Sequence, residues 1–227
     1  MVNEDAAFLL DPQPSVLQVG VARPQPNAAG TYEVTGIEKL PTSHIDVFAP
    51  GPNYGDGSGV VGDTIGDSKH HGGADKAVYA FAREELDYWQ DQLGRELVYG
   101  SFGENITSAG VKWSEVYIGQ RVGIGSAVLE VSVPRTPCAT FAAWLEEKGW
   151  VKRFAEHGDC GAYFRVITAG RIRPLDSIRF GAIPDHGVTM GEAFAAKLGD
   201  KEAARKVYDA GVLPGQHHEK LGRLLGE

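Results

Sequence analysis

Val128-Leu129-Glu130-Val131-Ser132-Val133-Pro134-Arg135-Thr136-Pro137-Cys138 is the stretch on which the reading of this chain turns. Its first six residues are mostly apolar and β-prone, whereas its last five carry two prolines that fit neither a strand ladder nor a helix interior. The strand therefore leaves its sheet at Pro134 and turns before the helix-like run 139–148. That places Cys138 at a helix N-terminus with Arg135 nearby, and both the backbone N–H groups and the guanidinium favour thiolate over thiol. A thiol that merely packs is the competing reading for any single cysteine, and on local context alone both remain open. Cys160, between Asp159 and Gly161, has no such surroundings and is read as structural.

Outward from this stretch, 30 glycines and 12 prolines in 227 residues imply many turns between short strands. Strands are expected at 16–21, 32–37, 77–81, 121–124, 128–133, 163–167 and 177–180, and closing them into a barrel removes exposed edges. Two helices interrupt them. The run 83–93 puts Leu86, Trp89 and Leu93 on one face before Gly94, and 139–148 does the same with Phe141, Trp144 and Leu145 before Gly149; both stripes are read as core. The Gly/Pro/Asn-rich run 49–62 is a loop. The expected organisation is a lead-in over 1–14, a mainly β barrel domain with short helices over 15–182, and a three-helix segment over 185–227. Thr189, Asp200 and Pro214 open the tail helices, which should pack together or on the barrel and be dispensable for a metal site.

The formal net charge of −8 argues against a nucleic-acid polymer or an anionic membrane surface as partner, and leaves room for a local basic pocket holding one phosphate. Residues 6–10 are too few for a membrane span and follow acidic rather than basic residues, so a cytoplasmic protein is expected. Two cysteines make no disulfide framework there, and no paired Cys/His spacing of the structural zinc type occurs.

Three further segments carry polar chemistry. Gly62 to Lys76 combines acids, His70-His71, lysines and glycines, so that main-chain and side-chain donors can approach an anion; adjacent histidines in extended chain point to opposite sides, which disfavours zinc. Phe102-Gly103-Glu104-Asn105 presents a turn amide that both donates and accepts. In Thr35-Gly36-Ile37-Glu38-Lys39-Leu40-Pro41, a strand-end Thr is followed four residues later by Lys. Tight turns and solvated charges are the plainer readings of all three.

In this order, these segments together with Arg83-Glu84-Glu85, Trp89 and Ile118-Gly119-Gln120 resemble the MOSC domain, named for the C-terminal domain of molybdenum-cofactor sulfurases, and most closely its YiiM-like group. The resemblance spans about 16–180 and, more loosely, the tail helices. It implies a β-barrel-like fold and a pocket for the molybdenum cofactor (molybdopterin), with Cys138 as metal ligand and catalytic residue. By position, Thr35, Lys39, His71, Arg83, Asn105 and Arg135 become cofactor-binding candidates. The insertion around 49–59 departs from the family pattern and bears on substrate identity.

The function expected from this resemblance is reduction of small N-hydroxylated compounds, of the hydroxylaminopurine or amidoxime type. The chain has neither an iron–sulfur cysteine set nor a dinucleotide-binding glycine loop, so a separate electron-donor protein is expected. Persulfide-based sulfur transfer on Cys138 and non-catalytic cofactor carriage are the alternatives, and a homodimer is left open.

Overall fold

The computed structural model describes residues 13–227; most of the lead-in and the 6–10 run lie outside the described residues. Its strands are β1 (Ser15–Ala22), β2 (Gln25–Pro26), β3 (Val34–Thr35), β4 (Lys39–Thr42), β5 (Ile45–Val47), β6 (Val78–Ala82), β7 (Ile106–Ala109), β8 (Arg121–Ile124), β9 (Ala127–Val131), β10 (Ala162–Thr168), β11 (Gly170–Ile172) and β12 (Ile178–Phe180). The helices are α1 (Arg83–Leu93), α2 (Ala139–Leu145), α3 (Trp150–His157), α4 (Met190–Leu198), α5 (Lys201–Ala210) and α6 (Gly215–Leu225). No helix among the described residues is long and apolar enough to cross a membrane.

Eight strands form one curled sheet in the order β12-β8-β9-β10-β6-β7-β1-β4. All neighbours are antiparallel except β6 and β7, whose parallel pairing needs the crossover that contains α1. The curl brings the start of β1 to the approach of β12, where Val16 and Asp176 share a backbone hydrogen bond and Ser15 bridges Ser177. Closing the sheet on itself in this way satisfies donors that an open edge would leave bare.

Aromatic side chains fasten the helices to the sheet. Trp89 of α1 meets Trp150 of α3 at 4.5 Å between ring centroids, and Phe141 of α2 meets Phe102 at 5.0 Å; these rings are fully buried. Helix α2 is shorter than its sequence pattern because Glu146 turns left-handed at φ 51°, after which Gly149 starts α3, an element the sequence reading missed. The 32–37 run forms only the two-residue β3. In the tail, Thr189 makes a capping box with Glu192, and the Asp200 carboxylate accepts the Ala203 N–H. Helix α4 packs on α3 through Phe194 against Phe154 at 6.2 Å and is tied to the segment before β8 by the Met190 N–H to the Val116 carbonyl at 2.7 Å.

Backbones 34–36 and 64–66 press together beside the sheet. A Cβ on Gly66 would overlap the Val34 carbonyl oxygen, and one on Gly36 the Thr64 carbonyl oxygen. Gly66→Ala is expected to cost about 1–3 kcal/mol, since backbone cannot yield as a side-chain tip does; urea unfolding should report the loss as a lower midpoint.

Candidate functional site

The same close approach shapes one wall of a cleft with two lobes. The barrel lobe, about 610 Å³ counted out to solvent, is bounded by residues from Tyr32, Thr35, Lys39, Asp63, Asn105 and their neighbours. The tail lobe, about 1430 Å³ counted out to solvent, lies between the barrel and α4 and α6. Six residues belong to both: Asp67, His71, Lys76, Arg135, Cys138 and Tyr163.

Asp63 is the centre of the barrel-lobe wall. Its carboxylate accepts from Lys39 Nζ at 2.6 and 2.8 Å, Asn105 Nδ2 at 3.0 Å, Ser58 Oγ at 3.0 Å and the Ala22 N–H at 2.7 Å. Only 5% of the Lys39 side chain and 1% of the Asp63 side chain are exposed. Burial pulls the Lys39 pKa down while the carboxylate pulls it back. The pair tolerates burial because the remaining lone pairs of Asp63 are filled. Asn105 completes the brace, accepting the Tyr79 N–H at 3.3 Å and donating to the Gly20 carbonyl at 3.3 Å. Lys39 and Asn105 thus line the cavity, but spend these hydrogen bonds on its walls rather than offering them to a ligand.

Cys138 is the N-cap residue of α2, with extended backbone and its carbonyl accepting the Ala142 N–H at 3.1 Å. Its side chain is half-buried at the junction of the lobes. Arg135 is 7% exposed, donates to the Phe102 carbonyl, and stacks over Phe141 and Tyr79 at 4.2 and 4.8 Å. Thr35 lines the same lobe, its Oγ1 accepting the Ile37 N–H at 3.2 Å. The two histidines separate, although not in extended chain: they lie in a turn closed by the His71 N–H to the Asp67 carbonyl at 3.0 Å. His70 is exposed and faces Asp67 at 3.0 Å, while His71 turns inward to the Tyr163 hydroxyl at 3.3 Å. Cys160, by contrast, is fully buried, and burial with the Asp159 charge pushes its thiol far up.

Arg83 is not in this cleft. It pairs with Asp87, donates to the Leu97 carbonyl at 3.0 Å and lies over Tyr99. It opens α1, whose buried face carries Leu86 and Trp89, and this turns Arg83 toward the 96–101 segment instead.

Sequence reasoning did not find the tail-lobe residues. Lys197 of α4 and His217 and Lys220 of α6 stand in one wall with Cys138 and Lys76, so the tail expected to be dispensable for a metal site lines the lobe that holds Cys138. The 49–59 insertion also contributes. Its backbone is sewn to the His-Gly-Gly segment through Gly55 N–H to the His71 carbonyl and Gly73 N–H to the Gly57 carbonyl, and Tyr54 reaches across to His217 Nε2 at 2.7 Å.

Positive charge accumulates here. Burial, then Lys197, lowers Lys76 to about 7; burial, with Lys220 adding to it, lowers Lys197 to about 8. Burial and neighbouring cations lower His71 and His217 to about 3, so both imidazoles are neutral at ordinary pH.

With this geometry in view, the known proteins fall into line. The family model described as the MOSC domain matches residues 67–179, and YflK of Bacillus subtilis is 33% identical over 177 residues, spanning 78% of this chain and 77% of that one. This chain belongs to the MOSC domain family. A crystal structure of YiiM from Geobacillus stearothermophilus superposes with a TM-score of 0.73 at 23% identity, covering 93% of this chain and 99% of that one, which places the fold with the YiiM-like members. A longer Gibberella moniliformis protein described as "Reductase" is 30% identical over 172 residues, 74% of this chain and 29% of its own length.

Two outcomes follow from the buried groups. Asp63→Asn leaves Lys39 buried without its counter-charge and should cost about 3–5 kcal/mol in urea unfolding. His71 and His217 take up protons near pH 6.5 when unfolded but not when folded, so the unfolded state binds more protons below that pH and stability falls as pH is lowered. Calorimetry of the cofactor-free protein from pH 7 to 4.5 should show a falling Tm, and His217→Phe should flatten the slope.

Proposed function

We propose that this protein is a molybdenum-cofactor-dependent reductase of N-hydroxylated compounds, with Cys138 as its ligand to molybdenum. The observation that carries the reading is the placement of Cys138, the cleft's one thiol, where two cation-lined lobes meet in a MOSC fold. Among the described residues, no three His, Cys, Asp or Glu side chains converge on a metal position. A metal on Cys138 must therefore bring its other ligands with it, as a pterin dithiolene does. Soft thiolate suits molybdenum, and Arg135 and Lys76 suit the anionic pterin phosphate. The residues present thus fit the group. The fungal relative described as "Reductase" supports the same direction.

When bound, the cofactor supplies two-electron oxygen-abstraction chemistry. The overall reaction is R–NHOH plus two electrons and two protons giving R–NH2 and water: the N–O bond breaks, one proton ends on nitrogen and one on oxygen. The electrons come from a separate electron-donor protein. The chain's own residues hold a proton, orient the substrate and exclude water. Lys76 Nζ carries a proton that is labile near neutrality and stands at the junction beside Cys138. The Tyr32 and Thr140 hydroxyls share a hydrogen bond at 2.7 Å within the barrel lobe and offer a dipole pair to an N-hydroxyl group. The Tyr79 and Tyr163 rings, 4.9 Å apart, keep water off that side.

The test compares Cys138→Ser with Cys160→Ser, loaded in parallel and assayed with one N-hydroxylated purine and one artificial reductant. Serine is a harder, far less acidic ligand, so Cys138→Ser should abolish turnover, while Cys160→Ser should keep most of it. Retained turnover in the Cys138 variant would overturn the assignment. Molybdenum-free protein with cyanolysable sulfur would point to persulfide transfer, and loaded protein without turnover to carriage.

A further inference from the structure

The tail lobe holds more positive charge than the reductase reading uses. Lys69, Lys76, Arg135, Lys197 and Lys220 all line it, and among the described residues none of the five forms an ion pair. The lobe's one carboxylate, Asp67, is engaged by His70. In a chain of net charge −8, five basic side chains without a carboxylate partner around one cleft favour an anionic ligand there. His217, 5% exposed, lines the same lobe.

The arrangement also has donors to spare. Lys76 gives one N–H to the His70 carbonyl at 2.6 Å, and Lys197 gives one to the Pro134 carbonyl at 3.3 Å, so each ammonium retains others. The rings of Tyr54 and Tyr163 lie 4.7 and 5.5 Å from Lys76 Nζ, beside the charge. Several point cations suit a dianion with three acceptor oxygens better than a carboxylate. Lys197, His217 and Lys220 lie outside the 67–179 segment that the family model matches, so they add to the site something beyond the matched domain.

From this juxtaposition we infer that the tail lobe binds a phosphate ester of the substrate, so that the reductase acts on N-hydroxylated nucleotides in preference to free bases or nucleosides. With the cofactor in the barrel lobe on Cys138, the tail lobe is left to the reacting molecule, and its phosphate anchors on Lys197 and Lys220, which line that lobe alone. The identity of the reacting group rests on the reductase reading; recognition of the phosphate does not.

Binding therefore tests it without turnover. The full chain, cofactor-free and molybdenum-loaded, is titrated at pH 7 by calorimetry with adenosine 5′-monophosphate and with adenosine. The nucleotide should bind at least about tenfold more tightly in both forms. Lys220→Glu, at an exposed position that leaves the fold intact, should remove about tenfold of nucleotide affinity, leave adenosine unchanged, and leave molybdenum content unchanged; Lys197→Met should act in the same direction. Equal binding of nucleotide and nucleoside overturns the inference. So does discrimination present in the cofactor-free form but lost on loading, or molybdenum lost from Lys220→Glu, since either outcome gives the lobe to the cofactor's own phosphate.

Discussion

The buried Lys39–Asp63 pair is the interaction on which the cleft depends. One carboxylate ties together β4 through Lys39, the end of β1 through Ala22, the residue before β7 through Asn105, and the 49–59 insertion through Ser58. These segments are far apart in sequence, and bringing them to one point costs chain entropy that a single hydrogen bond cannot offset. A nearly water-free ion pair with its remaining acceptor sites filled can hold them, and its loss would leave a buried charge rather than a vacant contact. The wall so formed carries the groups that face Cys138.

Around that wall the charges are sorted by environment. Inside, Lys39 is matched by Asp63 and serves architecture. At the junction and beyond it, Lys76, Lys197, Lys220 and Arg135 are unmatched and leave a positive field beside the one half-buried thiol. The histidines in the same space are neutral because burial and these cations oppose their protonation. Matched charge holds the structure, and unmatched charge is available to ligands. The distinction separates Lys39, which resembles a cofactor contact in sequence, from Lys76 and Lys197, which do not stand out there.

Local chemistry was the legible part of the sequence. The prolines before Cys138 dictate a turn, Thr189 and Asp200 are capping residues wherever they precede a helical pattern, and the Leu86/Trp89 and Phe141/Leu145 stripes can face only a core. Ordered motifs then identified the family. Helix α3 had a signal that was passed over, with Gly149 and Gly158 bracketing Trp150 and Phe154 at helical spacing. The hub was not legible, because nothing near Asp63 in sequence says that its partners are Lys39 and Asn105, 24 and 42 residues away. Arg83 was misplaced for the converse reason: its neighbours in sequence suggested the site, while the buried face of α1 turned it elsewhere. The tail lobe depends on the docking of α4 and α6 against the barrel, which no local pattern encodes.

The central claim is that Cys138 supplies the protein's sulfur to molybdenum at the junction of the lobes. Molybdenum K-edge X-ray absorption on loaded wild type and loaded Cys138→Ser measures it directly by counting sulfur scatterers at bonding distance. The account predicts one fewer sulfur around the metal in the variant, with Cys160→Ser identical to wild type. An unchanged sulfur count in Cys138→Ser would contradict it.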